Sequence, residues 1–132
     1  LEVTEHSIIE HYHELARAID PLRSRGLRLA VDDAGAGYAS FKHVLSLAPE
    51  LIKLDNSITR GIDSHRARYA LAAALVRFAE ETGGDIVAEG VETDAEFTAL
   101  RRLGIAHAQG YLLGRPLPIE QAVRLAGVQL AT

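Results

Sequence analysis

The feature that most constrains this chain is an alternation: short apolar runs, separated by amphipathic stretches of helical period. Leu1–Thr4, Leu27–Val31, Leu51–Leu54, Asp85–Ala88 and Ala106–Gln109 read as strands. A helix is expected over Ile8–Leu22, where Ile8, Tyr12, Leu15, Ile19 and Leu22 recur at helical spacing. Phe41, Val44 and Leu45 mark a short helix that Pro49 ends. Arg66–Thr82 carries Leu71, Leu75, Phe78 and Ala79 on one stripe, with Gly83-Gly84 as its stop. Thr93 and Glu96 form a capping-box signature before Phe97, Leu100 and Leu103, and Pro116 and Pro118 introduce a last helix with Ala122, Val123 and Leu125. Parallel strands need crossovers of a dozen or more residues, and the spacing supplies room for one each time. The fold class is therefore α/β with about five β/α units, either a piece of a barrel or a small doubly wound sheet.

Length limits the choice further. At 132 residues the chain is one domain at most and is short of the roughly 250 typical of a closed (β/α)8 barrel. A net charge of −4 argues against a general polymeric nucleic-acid surface, which is normally basic. It leaves a small anionic ligand open, because bound cations reverse local charge. The absence of cysteine removes disulfides and thiolate metal sites and is compatible with a cytoplasmic location. No apolar run approaches the roughly 20 residues of a membrane-spanning helix. The chain starts on Leu1 rather than Met, which reads as a fragment.

The chemistry-bearing residues cluster at the strand ends: Glu2 and Glu5, Asp32 and Asp33, Lys53 and Asp55, Glu89 and Glu92, and Gln109. In parallel β/α folds those ends converge on one rim, where residues from different strands meet. So many carboxylates in one place repel unless cations sit among them. An oxygen-rich set without cysteine suits Mg2+ or Mn2+ better than structural zinc. Lys53 and Asp55, two apart, are expected on one face of a strand. Asp32 and Asp33 are adjacent, so both reach a shared site only if the backbone turns at the strand end, where Gly35 and Gly37 follow.

Taken in order, these residues resemble the motifs of EAL domains. The stretches are Leu1-Glu2-Val3-Thr4-Glu5, Asp32-Asp33-Ala34-Gly35-Ala36-Gly37-Tyr38-Ala39-Ser40, Ile52-Lys53-Leu54-Asp55, Ala88-Glu89-Gly90-Val91-Glu92-Thr93 and Ala108-Gln109-Gly110-Tyr111, closed by Gly114-Arg115-Pro116-Leu117-Pro118. The resemblance implies that residues 1–132 are a partial EAL domain, the C-terminal portion of a modified (β/α)8 barrel that hydrolyses cyclic di-GMP to a linear dinucleotide with Mg2+ or Mn2+. By position, Glu2 resembles a ligand of the first metal, Asp32 the bridging aspartate and Asp33 a ligand of the second. Lys53 resembles the lysine that orients the attacking water and offsets negative charge. Glu89 is similar to an essential acid near the metals, and Gln109 to a residue that closes the site. Asp55 and Glu92 fall at supporting positions, and Glu5 at one that steadies the loop from Ala34 to Ser40.

The chain also departs from the family pattern. The Glu-Ala-Leu segment and a further strand-end asparagine are expected upstream of Leu1, so the two-metal site is incomplete in this chain. Ala34 and Ala36 stand where phenylalanine and threonine are common, which weakens loop-mediated dimer coupling, and Asn56 replaces a common basic residue. The open sheet edges that such a portion exposes call for pairing with the missing N-terminal half or with a second copy as a homodimer.

Blander explanations exist for single residues. Glu92 and Asp94 precede a helix, where acids favour the dipole, Glu89 can be a loop-edge charge, and Asp32-Asp33 before glycine is a common turn composition. Lys53 resists such a reading, because a lysine in an apolar strand needs an anionic partner. His11 and His13 do not share a helix face, and His43, His65 and His107 lack ligand-spaced partners. Gly35-Ala36-Gly37 is no P-loop, since no Gly-Lys-Ser/Thr follows.

Two rival functions follow. A receiver domain shares five β/α units, an acidic pair and a lysine, but its pair follows the first strand and its lysine ends the fifth, unlike Asp32-Asp33 and Lys53 here. A catalytically inactive EAL domain, acting as a cyclic di-GMP receptor or a protein-interaction and dimerisation module, is the alternative within the family.

Overall fold

The computed structural model describes residues 1–4, 6–35 and 37–125, so the expectations for Glu5 and Ala36 lie outside the described residues. Five strands, β1 (Glu2–Val3), β2 (Ala30–Ala34), β3 (Leu51–Leu54), β4 (Asp85–Ala88) and β5 (His107–Ala108), form one sheet in the order β1-β2-β3-β4-β5. Every neighbouring pair is parallel. Helices α1 (Tyr12–Arg23), α2 (Tyr38–Leu47), α3 (Asn56–Thr59), α4 (Arg66–Thr82) and α5 (Asp94–Arg102) lie between the strands, and α6 (Ile119–Leu125) follows the last.

Sequential strand order decides what periodicity left open. Right-handed crossovers between strands that always advance in one direction keep every helix on the same face, as in a barrel wall. A doubly wound sheet, the receiver type included, reverses its strand order and covers both faces. Burial agrees with the barrel-wall arrangement. Val31, Ala34, Ile52, Leu54, Ile86 and Ala88 are buried on the face that also holds Val44, Ala72, Leu75, Ala79, Ala99 and Leu100 of the helices. Burying each large aliphatic side chain in such a layer contributes about 1.5–3 kcal/mol. A second cluster, Val3, Ile19, Leu29 and Leu47, seats α1 on the β1 side. The alternate strand residues Ala30, Leu51, Lys53 and Val87 remain partly exposed on the other face.

Several expected boundaries move, each for a local reason. The first helix starts at Tyr12 and not Ile8, which is 90% exposed. Thr4 and Ser7 form a turn instead, with the Ser7 N–H donating to the Thr4 carbonyl and the Thr4 N–H to Ser7 Oγ. The second strand starts at Ala30 rather than Leu27, because the Leu27 N–H bonds back to Leu22 of α1 and the Leu29 N–H to Glu50 Oε2 at 2.7 Å. Strand β5 is shorter than the expected Ala106–Gln109. Helix α3 was not anticipated, and it is a single turn capped by Asp55. By contrast β3, β4 and α4 occupy the expected residues, and α4 ends on Gly83 at φ 76°. No helix among the described residues is long and apolar enough to cross a membrane.

Candidate functional site

The site forms at the C-terminal ends of β2, β3 and β4, and its geometry begins with an irregularity in the sheet. Val31 pairs with Ile52 and Ala34 with Leu54, so Asp32 and Asp33 together stand opposite Lys53 alone. That is a β-bulge, with an extra residue on β2. Asp33 takes φ 55°, a left-handed conformation that aspartate tolerates better than most residues, and its N–H donates to Asp32 Oδ1 at 2.9 Å. The bulge lets two consecutive aspartates serve one pocket, which a regular strand would forbid.

Glu89 enters from just past β4, where its N–H extends the ladder to the Leu54 carbonyl at 3.1 Å. Carboxylate oxygens of Asp32, Asp33 and Glu89 all lie within 4.8 Å of one another, and among the described residues this is the one such cluster with metal-ligand spacing. Lys53 Nζ reaches Glu2 Oε1 at 2.6 Å, Glu89 Oε1 at 2.9 Å and Asp32 Oδ1 at 3.1 Å. Gln109 Nε2 donates to the same Glu89 oxygen at 2.5 Å.

Charge sharing sets the protonation. Partial burial alone would lower the Lys53 pKa, but hydrogen bonds to Glu2, Glu89 and Asp32 outweigh it and hold the ammonium above its ordinary range. Burial raises Asp32, and the hydrogen bonds from Lys53 and the Asp33 N–H overcome that to leave its carboxyl below the ordinary value. Glu89 goes the other way: burial, with the charges of Asp32 and Asp33 adding to it, lifts its pKa despite Lys53. A pocket of hard oxygen donors under mutual repulsion fits a divalent cation.

Two glycines shape the walls. Gly90 has φ 69°, and a Cβ there would lie 2.8 Å from Asn56 Cβ. Gly110, at φ 154°, packs so tightly that a Cβ would sit 2.2 Å from the Val91 carbonyl oxygen. That contact, with the Val91 N–H donating to the Gln109 carbonyl, sets Gln109 beside Glu89. Beyond Gly90 and Gln109 opens a cavity of about 750 Å3, with Tyr111 and Arg115 in its wall. The Arg115 guanidinium lies 4.3 Å from the Tyr111 ring centroid.

The structure thus brings together Glu2, Asp32, Asp33, Lys53, Glu89 and Gln109. Asp55 is placed elsewhere, contrary to the expectation that it shares a face with Lys53: β3 ends at Leu54, and the Asp55 carboxylate caps α3 by accepting from the Ser57 N–H. Glu92 pairs with Arg60. Glu96 was read from sequence only as half of a capping box. Its buried carboxylate also accepts the Gly61 N–H at 2.8 Å, beside those of Glu92 and Thr93 at 2.9 and 3.1 Å. It thereby ties the turn after Glu89 to the α3–α4 connection, a link between distant segments that no local motif signals.

Comparison with known proteins places the sequence model described as the EAL domain on residues 1–116. Cyclic di-GMP phosphodiesterase PdeF of Escherichia coli is 34% identical over 118 residues, which is 89% of this chain and 16% of that protein. The EAL domain of Mycobacterium smegmatis DcpA superposes with a TM-score of 0.85 at 30% identity, covering 99% of this chain and 59% of that one. The manganese and cy-diGMP complex of Klebsiella pneumoniae BlrP1 gives a TM-score of 0.77 at 38% identity, over 87% of this chain and 29% of that one.

Proposed function

The chain belongs to the EAL domain family, and on that premise we propose that it supplies most of an active site for metal-dependent hydrolysis of cyclic di-GMP to a linear dinucleotide. The observation that carries the proposal is the convergence of Asp32, Asp33 and Glu89 oxygens within 4.8 Å, with Lys53 Nζ against two of the three residues. The manganese and cy-diGMP ligands of BlrP1 support the same reading.

In this reading Asp32, Asp33 and Glu89, with Glu2, hold Mg2+ or Mn2+. The chemistry such ions supply when bound is activation of a water and neutralisation of charge at a phosphoryl oxygen. Lys53 orients that water and offsets negative charge on the phosphodiester. Gln109 fixes the rotamer of Glu89 through its Nε2 donor. Hydrolysis adds the water oxygen to phosphorus, breaks one ester P–O bond and leaves a proton on the departing ribose oxygen. Arg115 and Tyr111, at the neighbouring cavity, offer a cation and an aromatic face of the kind a guanine nucleotide needs. Asp55, Glu92 and Glu5 are supporting residues.

Residues 1–132 are, in this proposal, a partial EAL domain in the cytoplasm. The chain spans 59% of the DcpA EAL domain and 16% of PdeF. Remaining metal ligands then come from a segment that pairs with its open sheet edges, or from a second copy. The test is hydrolysis of cyclic di-GMP with Mn2+ by the protein that contains this chain, compared with Asp32→Ala and Lys53→Ala. Each substitution is expected to lower turnover by about 100-fold or more. Unchanged turnover in either variant overturns the assignment.

A further inference from the structure

We infer that Ile58 is a positioning residue for this site: from the single turn α3 it braces Gly35 and so holds the strained Asp33 with its carboxylate toward the cation. The inference rests on the metal reading above and adds to it a residue that touches neither ion nor substrate. Asp33 takes φ 55° and Gly35 φ 108°, so the chain enters the left-handed region on both sides of Ala34. A left-handed conformation costs a non-glycine residue free energy, and it persists only where the surroundings hold it. Ala34, between them, offers a buried methyl group and a carbonyl that accepts the Asp55 N–H at 3.2 Å.

Ile58 supplies the rest of the support. A Cβ at position 35 would fall inside contact distance of Ile58 Cδ1 and 2.7 Å from its Cγ1, so the end of the isoleucine occupies the space a side chain there would take. Ile58 is buried, and the cap of α3 fixes its own place. The Asp55 carboxylate accepts the Ser57 N–H, and the Asp55 carbonyl accepts the Ile58 N–H at 3.0 Å. Asp55 follows directly on β3, so the turn is anchored to the same strand whose register makes the bulge. Without the Ile58 terminus, Gly35 can sink into the vacated space and Asp33 can relax, which draws one ligand away from Asp32 and Glu89. Ion–oxygen distances of about 2 Å leave little tolerance for such a shift.

Ile58→Val removes the terminal Cδ1 that fills the space beside Gly35, and Ile105→Val makes the same change at a buried position of the same core, ahead of β5. Both lose one methyl group from the core and so a comparable amount of stability. They are compared in the protein that contains this chain, with free Mn2+ counted by paramagnetic resonance during titration and Asp32→Ala marking any ions bound elsewhere. Ile58→Val is expected to bind Mn2+ about tenfold more weakly, the low end of what losing the support of a metal ligand costs. Ile105→Val is expected to bind as the wild type does.

Wild-type affinity in a folded Ile58→Val overturns the inference while leaving the metal site standing. Equal weakening in Ile105→Val also overturns it, because the loss would then follow stability and not position. Binding by Asp32→Ala equal to that of the wild type overturns the metal reading and the inference with it.

Discussion

Replacing Glu96 tests whether one buried carboxylate holds the site's walls together. Its two oxygens accept three backbone N–H groups: Oε1 takes Gly61, and Oε2 takes Glu92 and Thr93. Hydrogen bonds to a charged partner contribute about 1.5–3 kcal/mol each, but the sum overstates the net loss. Glu92 is exposed, so water can satisfy its N–H in a variant, whereas the Gly61 N–H is half-buried. Glu96→Ala is therefore expected to cost about 3 kcal/mol. Glu96→Gln keeps one acceptor for the capping box and turns an amide donor toward the Gly61 N–H, so it should cost about 1–2 kcal/mol.

The pH dependence separates the charge from the packing. Burial by itself would raise the Glu96 pKa, yet the N–H groups of Gly61, Glu92 and Thr93 prevail and hold it below the ordinary value of 4.5. A folded-state pKa below the unfolded one gives stability that is present above the unfolded value and lost as pH falls through the folded value. The wild-type advantage over Glu96→Gln should thus be constant from neutrality down to about pH 5 and should shrink below about pH 4.5. Urea unfolding of the chain, read as the midpoint at unchanged m-value across that range, measures both effects. A Glu96→Ala cost under about 0.5 kcal/mol, or a gap to Glu96→Gln that widens in acid, would refute the reasoning.

Other perturbations follow from the same contacts. Gly110→Ala drives a Cβ to within 2.3 Å of the Val91 backbone, and should lower stability by about 2–4 kcal/mol; an unaltered urea midpoint would count against this packing. Tyr12→Phe removes the hydroxyl 2.9 Å from Nδ1 of His43, whose buried Nε2 has no hydrogen-bond partner among the described residues. It should cost about 1–2 kcal/mol at neutral pH in thermal unfolding, and a neutral substitution would show that water reaches the ring.

Much of the site was legible because local spacing dictates it. The apolar run Leu51–Leu54, the span and glycine stop of Arg66–Thr82 and the Thr93–Glu96 box each depend on neighbours within one or two turns and form as read, although the buried stripe of that helix runs through Ala72 and leaves Leu71 exposed. Acids placed after strands in a β/α rhythm also announce a shared rim, since parallel strands deliver their C-terminal ends to one side. What local spacing cannot convey is inter-strand register. A bulge set by pairing with β3 gathers Asp32 and Asp33 with Glu89 and sets Asp32 against Lys53, and the end of that strand at Leu54 sends Asp55 to cap α3. The capping acid Glu96 reaches Gly61, 35 positions earlier, only once α4 and β4 have folded between them. Sequence alone thus determined which residues stand at the strand ends. Tertiary structure decided which of them meet, because register and long-range hydrogen bonds exist only when the sheet has formed.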